Sequence, residues 1–148
     1  MKIYFINPPF KAEFGKFSRE SRSPAITKSG ALYYPLWLIY AALYSQKHGH
    51  DICFLDAPAK QLNEEQSLEI IQKENIQVWL VDQHLNHGKI GLDFIVENRQ
   101  ENVPSALITA DSDPELPERV KDLNVVLLKK PLKPASLRAW LSGLKISK

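Results

Sequence analysis

Apolar residues fall along this chain in two alternating rhythms: short runs of four or five, and longer stretches with a spacing of three or four. The short runs are Lys2–Ile6, Ile52–Leu55, Val78–Val81, Ala106–Thr109 and Val125–Leu128. They read as strands, because each is too short for a helix and several end in turn formers such as Asn7-Pro8-Pro9 and Asp56-Ala57-Pro58. Between them lie helical patterns. Pro35 suits a first turn, where its missing N–H costs nothing, and the pattern then runs through Leu36, Trp37, Ile39, Tyr40, Leu43 and Tyr44 to Gly49, a natural stop. Asn63 with Gln66 three residues on forms a capping box ahead of Leu68, Ile70 and Ile71. Gly91–Gln100 predicts a third helix buried through Leu92, Ile95 and Val96. Asp113-Pro114 opens a fourth, expected to be short or irregular because Pro117 cannot donate its backbone bond. Pro134 starts the last, packed through Leu137, Trp140, Leu141 and Leu144. A polar loop from Phe10 to about Tyr34 separates the first strand from the first helix.

Strands that are apolar runs, each followed by a helix, imply a parallel sheet covered on both faces. Five such units in 148 residues fit one domain with the doubly wound, flavodoxin-like strand order 2-1-3-4-5. An eight-fold barrel would need far more chain. Ligands of such sheets bind at the carboxyl ends of the strands. That rim is predicted to hold Asn7 to Phe10, Asp56, Asp82 to Gly88, Thr109 to Asp111 and Lys130-Pro131.

Composition narrows the classes further. With 44% hydrophobic and 24% charged residues the chain is globular rather than disordered. A net charge of +2, with both signs interspersed, argues against nucleic acid. The lone Cys53 excludes an internal disulfide. The opening residues do not read as a signal peptide, and the apolar stretch Leu36 to Leu43 is far below the ~20 residues of a membrane span. A cytoplasmic protein with no membrane partner is expected. There is no P-loop, no G-x-G-x-x-G and no Ser-His-Asp order. His48 and His50 flank Gly49 at a helix end, which suits partial positive charge without any metal.

From Val78 onward the residues Leu80-Val81-Asp82-Gln83-His84-Leu85, Gly88, Gly91-Leu92-Asp93, Ala106-Leu107-Ile108-Thr109-Ala110-Asp111 and Leu128-Lys129-Lys130-Pro131-Leu132-Lys133-Pro134 stand in a telling order. This half, 78–148, resembles the later part of a response-regulator receiver domain of the hybrid sensor kinase type. The resemblance implies Asp82 as phosphoacceptor, Thr109 as a hydrogen-bond donor to the phosphoryl group, Lys130 as its charge partner, and a cis Lys130–Pro131 peptide. It also implies a magnesium ion on Asp82, held with acidic residues just after strand one. Here that position reads Ile6-Asn7-Pro8-Pro9 and has no carboxylate.

The first half carries Ile6-Asn7-Pro8-Pro9-Phe10, Ser21-Arg22-Ser23-Pro24-Ala25-Ile26-Thr27-Lys28-Ser29-Gly30, Tyr33-Tyr34-Pro35-Leu36-Trp37-Leu38, Gly49-His50-Asp51 and Leu55-Asp56-Ala57-Pro58. Residues 1–77 are similar to the N-terminal cobalamin-binding domain of cobalamin-dependent radical-SAM enzymes. That likeness implies a corrinoid over the strand ends, held by Asn7, Ser23, Thr27, Ser29 and Tyr33. The later strand ends hold receiver-like residues in place of a glycine-rich pocket, and no radical-SAM cysteine motif is present. Asp82-Gln83-His84 with Gly88 has the look of a cobalt-ligating motif, but its glycine falls one residue late and the receiver resemblance explains it.

Two half-resemblances that meet near Gln77–Val78 imply a recombined protein. The expectation is an engineered chimeric scaffold, not an enzyme, without a complete native activity or cofactor, as a monomer or weak homodimer. Two alternatives are a cobalamin-binding module, and a receiver-like signalling domain with Asp82 as an impaired phosphoacceptor.

Overall fold

A computed structural model describes residues 1–9, 35–83, 90–99, 102–110 and 112–144. Five strands, β1 (Lys2–Asn7), β2 (Asp51–Asp56), β3 (Val78–Asp82), β4 (Ser105–Thr109) and β5 (Val125–Lys129), form one parallel sheet in the order β2-β1-β3-β4-β5. Each is followed by a helix: α1 (Leu36–Lys47), α2 (Glu64–Gln72), α3 (Ile90–Asn98), α4 (Leu116–Asp122) and α5 (Pro134–Gly143). The expected order and all ten elements are present, with strand ends moved by one residue at most.

The pleat explains the two layers, since successive side chains leave a strand on opposite faces. Ile3, Phe5, Val78, Leu80, Ala106 and Ile108 pack with Leu38, Ala41 and Ala42 of α1 and with Leu137 and Leu141 of α5. Tyr4, Ile6, Trp79, Val81 and Leu107 pack the other way, with Ile71 of α2, Leu92 and Ile95 of α3, and Leu116 and Val120 of α4. Strands with apolar residues on both faces are the reason the runs show no polar alternation.

The helix ends follow local chemistry. Asn63 accepts from the Gln66 N–H at 2.8 Å and Gln66 Oε1 accepts from the Asn63 N–H at 3.0 Å, so the capping box is present. Gly49 takes φ +84° just past α1, which favours glycine. Two expectations need correcting. The fourth helix begins at Leu116, so Pro117 lies in its first turn, where no intrahelical N–H bond is lost; Asp113 instead makes the preceding turn, its carboxylate accepting from the Glu115 N–H at 2.9 Å. Val96 does not pack inward but is 51% exposed, and Phe94 takes the core position beside Trp79. The inward face of α1 is also narrow, formed by Leu38, Ala41, Ala42 and Ser45, while Leu36 and Leu43 face solvent. Small residues there let the helix lie close to β1 and β3.

Tyr4 is a buried group whose titration responds to its surroundings. Burial pushes its phenol up from 10.0 to about 12, with the negative charges of Cys53 and Glu74 adding to the effect. Above pH ~10 the unfolded chain loses this proton while the folded chain keeps it, so stability present at lower pH falls as pH rises toward the folded value. Urea unfolding on either side of pH ~10 should show this loss in the native chain and a smaller loss in Tyr4→Phe.

Candidate functional site

The parallel arrangement brings every strand's carboxyl end to one edge of the sheet. Asp56, Asn7, Asp82, Thr109 and Lys129 close β2, β1, β3, β4 and β5, and Lys130 follows. The pleat then sorts their side chains. Ile52 and Phe54, Ile3 and Phe5, and Val78 and Leu80 all face the α1–α5 layer, and the same alternation carries Asp56, Asn7 and Asp82 to that side. Asn7 and Asp82 stand one residue beyond the paired Ile6 and Val81.

Asp82 is 1% exposed and its Oδ1 lies 2.8 Å from Lys130 Nζ, whose side chain is 5% exposed. Two opposite charges this deeply buried are each other's main compensation for lost hydration. Lys130 is anchored twice, because its backbone N–H also donates to the Thr109 carbonyl at 2.7 Å. The Lys130–Pro131 peptide is cis, and Thr109 is fully buried. Thus Asp82 and Lys130 meet through their side chains, and Thr109 is tied to Lys130 through its main chain.

Asn7, also fully buried, is engaged on its other flank. Its Nδ2 donates to Asp56 Oδ1 at 2.7 Å, and its carbonyl accepts from the Ala57 N–H at 3.1 Å. The Asp56 carboxylate also accepts from the Ala59 N–H at 3.4 Å. The sequence placed Asp56 on the rim but not this bond, which arises only from the in-register pairing of β1 with β2.

Gln83 and Gly91 stand in the segments that carry the receiver resemblance, but the sequence assigned neither a contact at the site. Gln83 is 1% exposed; its N–H donates to the Ile108 carbonyl at 2.8 Å and its Oε1 accepts from the Leu92 N–H at 3.1 Å. One residue therefore ties the end of β3 to β4 and to the first turn of α3, satisfying a donor that lacks an intrahelical partner. Gly91 permits the approach. A Cβ there would sit 2.5 Å from the Asp82 carbonyl oxygen and 2.8 Å from Gln83 Oε1.

Ser23, Thr27, Ser29 and Tyr33 lie outside the described residues, as do His84, His87, Gly88 and Asp111. Of the other histidines, His48 stacks on Tyr44 with ring centroids 4.1 Å apart and places Nδ1 2.8 Å from the Tyr44 carbonyl oxygen. Burial lowers the pKa of His50, helped by the amino terminus and His48. Among the described residues no three His, Cys, Asp or Glu side chains are grouped to hold a metal ion.

Sheet order, helix placement and rim define the class as a doubly wound, flavodoxin-like α/β fold. Among solved structures the chain is similar to the chemotaxis protein CheY4 of Vibrio cholerae, with a TM-score of 0.55 and 15% identity over 95% of each chain. That likeness shows the fold. No protein-family model matches the sequence, and a search of curated proteins finds no match. No helix among the described residues is long and apolar enough to cross a membrane.

Two substitutions probe the geometry. Lys130→Met should destabilise the fold by about 3–5 kcal/mol, because Asp82 would stay buried without its cation. Adding Asp82→Leu should restore much of that loss, measured by denaturant unfolding. Gly91→Ala should cost about 1–3 kcal/mol, since neither the Asp82 carbonyl nor the α3 backbone can yield without loosening the Gln83–Leu92 bond.

Proposed function

We propose that this chain is a receiver-like signalling module in which Asp82 is the phosphoacceptor, and that its phosphotransfer is impaired. The observation that carries the reading is the buried Asp82–Lys130 pair at 2.8 Å, at the carboxyl edge of a sheet with the receiver strand order. In the step, a carboxylate oxygen of Asp82 bonds to the phosphorus of an acyl phosphate while the bond from phosphorus to the leaving carboxylate breaks. The Lys130 ammonium moves from the carboxylate to a phosphoryl oxygen and offsets its charge. Thr109, at the neighbouring strand end, would donate its hydroxyl to a second phosphoryl oxygen.

The residues present do not suit magnesium. Near-octahedral oxygen ligation around this ion draws on carboxylates, yet the residue that ends β1 is Asn7, whose amide is engaged with the Asp56 carboxylate. The impairment follows from that arrangement. A second reading, an engineered chimeric scaffold that keeps a shared sheet but no complete activity, draws on the two half-resemblances of the sequence alone. The corrinoid reading of residues 1–77 draws on sequence resemblance alone. Retention of hydroxocobalamin through gel filtration, with a shifted corrinoid spectrum, would be its support.

Incubation with acetyl phosphate and Mg²⁺, followed by intact mass, separates the first two. The expected result is a small fraction carrying one phosphoryl group, lost in Asp82→Asn and raised about tenfold or more in Asn7→Asp, where a carboxylate returns beside Asp82. No adduct in either the native chain or Asn7→Asp would leave the scaffold reading.

A further inference from the structure

At the opposite end of the sheet from Asp82 lies a cavity of about 350 Å³ that the rim chemistry does not use. It is lined by Arg99, which follows α3, by Asn102 through Ser105 leading into β4, by Asn124 and Val126 at the start of β5, and by Trp140 and Leu144 at the end of α5. β4 is five residues long, so this end stands roughly 15 Å from the rim along the strand. The volume is in the range of small-molecule sites, ~300–1,000 Å³.

Three features give the cavity a defined chemistry. The first is charge: among the described residues of the lining, Arg99 is the only ionisable one. A carbonyl fixes its guanidinium, since Nη2 donates to the Leu123 oxygen at 3.0 Å, and the fork has five N–H donors in all. A guanidinium oriented by a neutral acceptor, with no carboxylate among the described residues of the lining, suits an anion.

The second is a pair of amides. Asn102 and Asn124 each turn the chain just before a strand, with φ of 67° and 52°. Asparagine tolerates this left-handed backbone better than most residues, and two such turns bring two uncharged donor–acceptor side chains to the same cavity. Ser105 adds a hydroxyl whose proton is directed to the Val103 carbonyl at 3.1 Å. The third is an apolar wall, for Trp140 is half-buried, Leu144 is part-buried and Val126 is 36% exposed. An exposed valine near the start of the edge strand β5, lining the same cavity as a tryptophan, offers a hydrophobic surface.

We propose that this cavity is a binding site for a small aromatic carboxylate, with the carboxylate on Arg99 and the ring against Trp140 and Val126. The amides of Asn102 and Asn124 complete the polar side, and guanidinium favours the planar two-oxygen geometry of a carboxylate. This assignment is independent of phosphotransfer at Asp82.

The test is titration of the full chain with benzoate, read by tryptophan emission and by amide shifts in ¹H–¹⁵N spectra. Benzylammonium and benzamide serve as cationic and neutral controls of the same shape. Benzoate should give a saturable change with amide shifts at Asn102, Ser105, Asn124 and Val126. Benzamide should bind at least about tenfold more weakly, and benzylammonium should give no saturation. Arg99→Gln should weaken benzoate about tenfold or more, and Trp140→Leu should remove the emission change and weaken binding. If Arg99→Gln fails to fold, Arg99→Lys replaces it, with weaker binding expected because the two-oxygen contact is lost. A linear, non-saturating benzoate response, equal binding of all three probes, or shifts confined to the Asp82 rim would each overturn the proposal.

Discussion

Strands β1, β3 and β4 run through the middle of the sheet, and every residue of β3 and β4, and all of β1 after Lys2, is buried. A strand covered on both faces has no place for a polar side chain along its length, because an uncompensated polar group there costs several kcal/mol. Polar residues are therefore driven to the strand ends. In a parallel sheet all carboxyl ends share one edge, so this constraint alone gathers Asp56, Asn7, Asp82 and Thr109 there. Lys130 joins them because β5 stops one residue earlier and its N–H is claimed by Thr109.

The rim then divides into two side-chain couples. Asn7 with Asp56 joins β1 to β2, and Asp82 with Lys130 spans from β3 to the end of β5. The division runs between the central strands β1 and β3. It matters chemically because magnesium in phosphoryl-transfer sites is held through one or two carboxylates, and of the described rim carboxylates Asp82 meets Lys130 and Asp56 meets Asn7.

Support for the rim comes from below. Gln83 holds the first turn of α3 against the end of β3, and the bare Cα of Gly91 lets the two backbones meet. On the opposite layer the small face of α1 does the corresponding work, with Ala41 and Ala42 against β1 and β3 while larger apolar residues point outward. Trp79 and Phe94, whose ring centroids are 6.1 Å apart, fill the wider gap on the α2–α4 side. Packing volume is distributed unevenly between the layers, and the identities of the inward residues follow it.

Much of this was legible in the order of residues. Apolar runs bounded by proline and aspartate marked the strands, Asn63 and Gln66 marked a helix start, and strand–helix alternation sufficed for the sheet order, because local propensity and hydrophobic pattern act over a few residues and agreed with one another. Asp82, Thr109 and Lys130 could be placed on a rim for the same reason. Pairing could not be read this way. That Asn7 bonds Asp56, that Gln83 caps α3, that Val96 yields the core to Phe94, and that Pro117 sits harmlessly in a first turn all depend on register and on which helix face meets the sheet. Those are decided by contacts between residues far apart in the chain, and only the folded structure brings them within hydrogen-bonding or van der Waals distance.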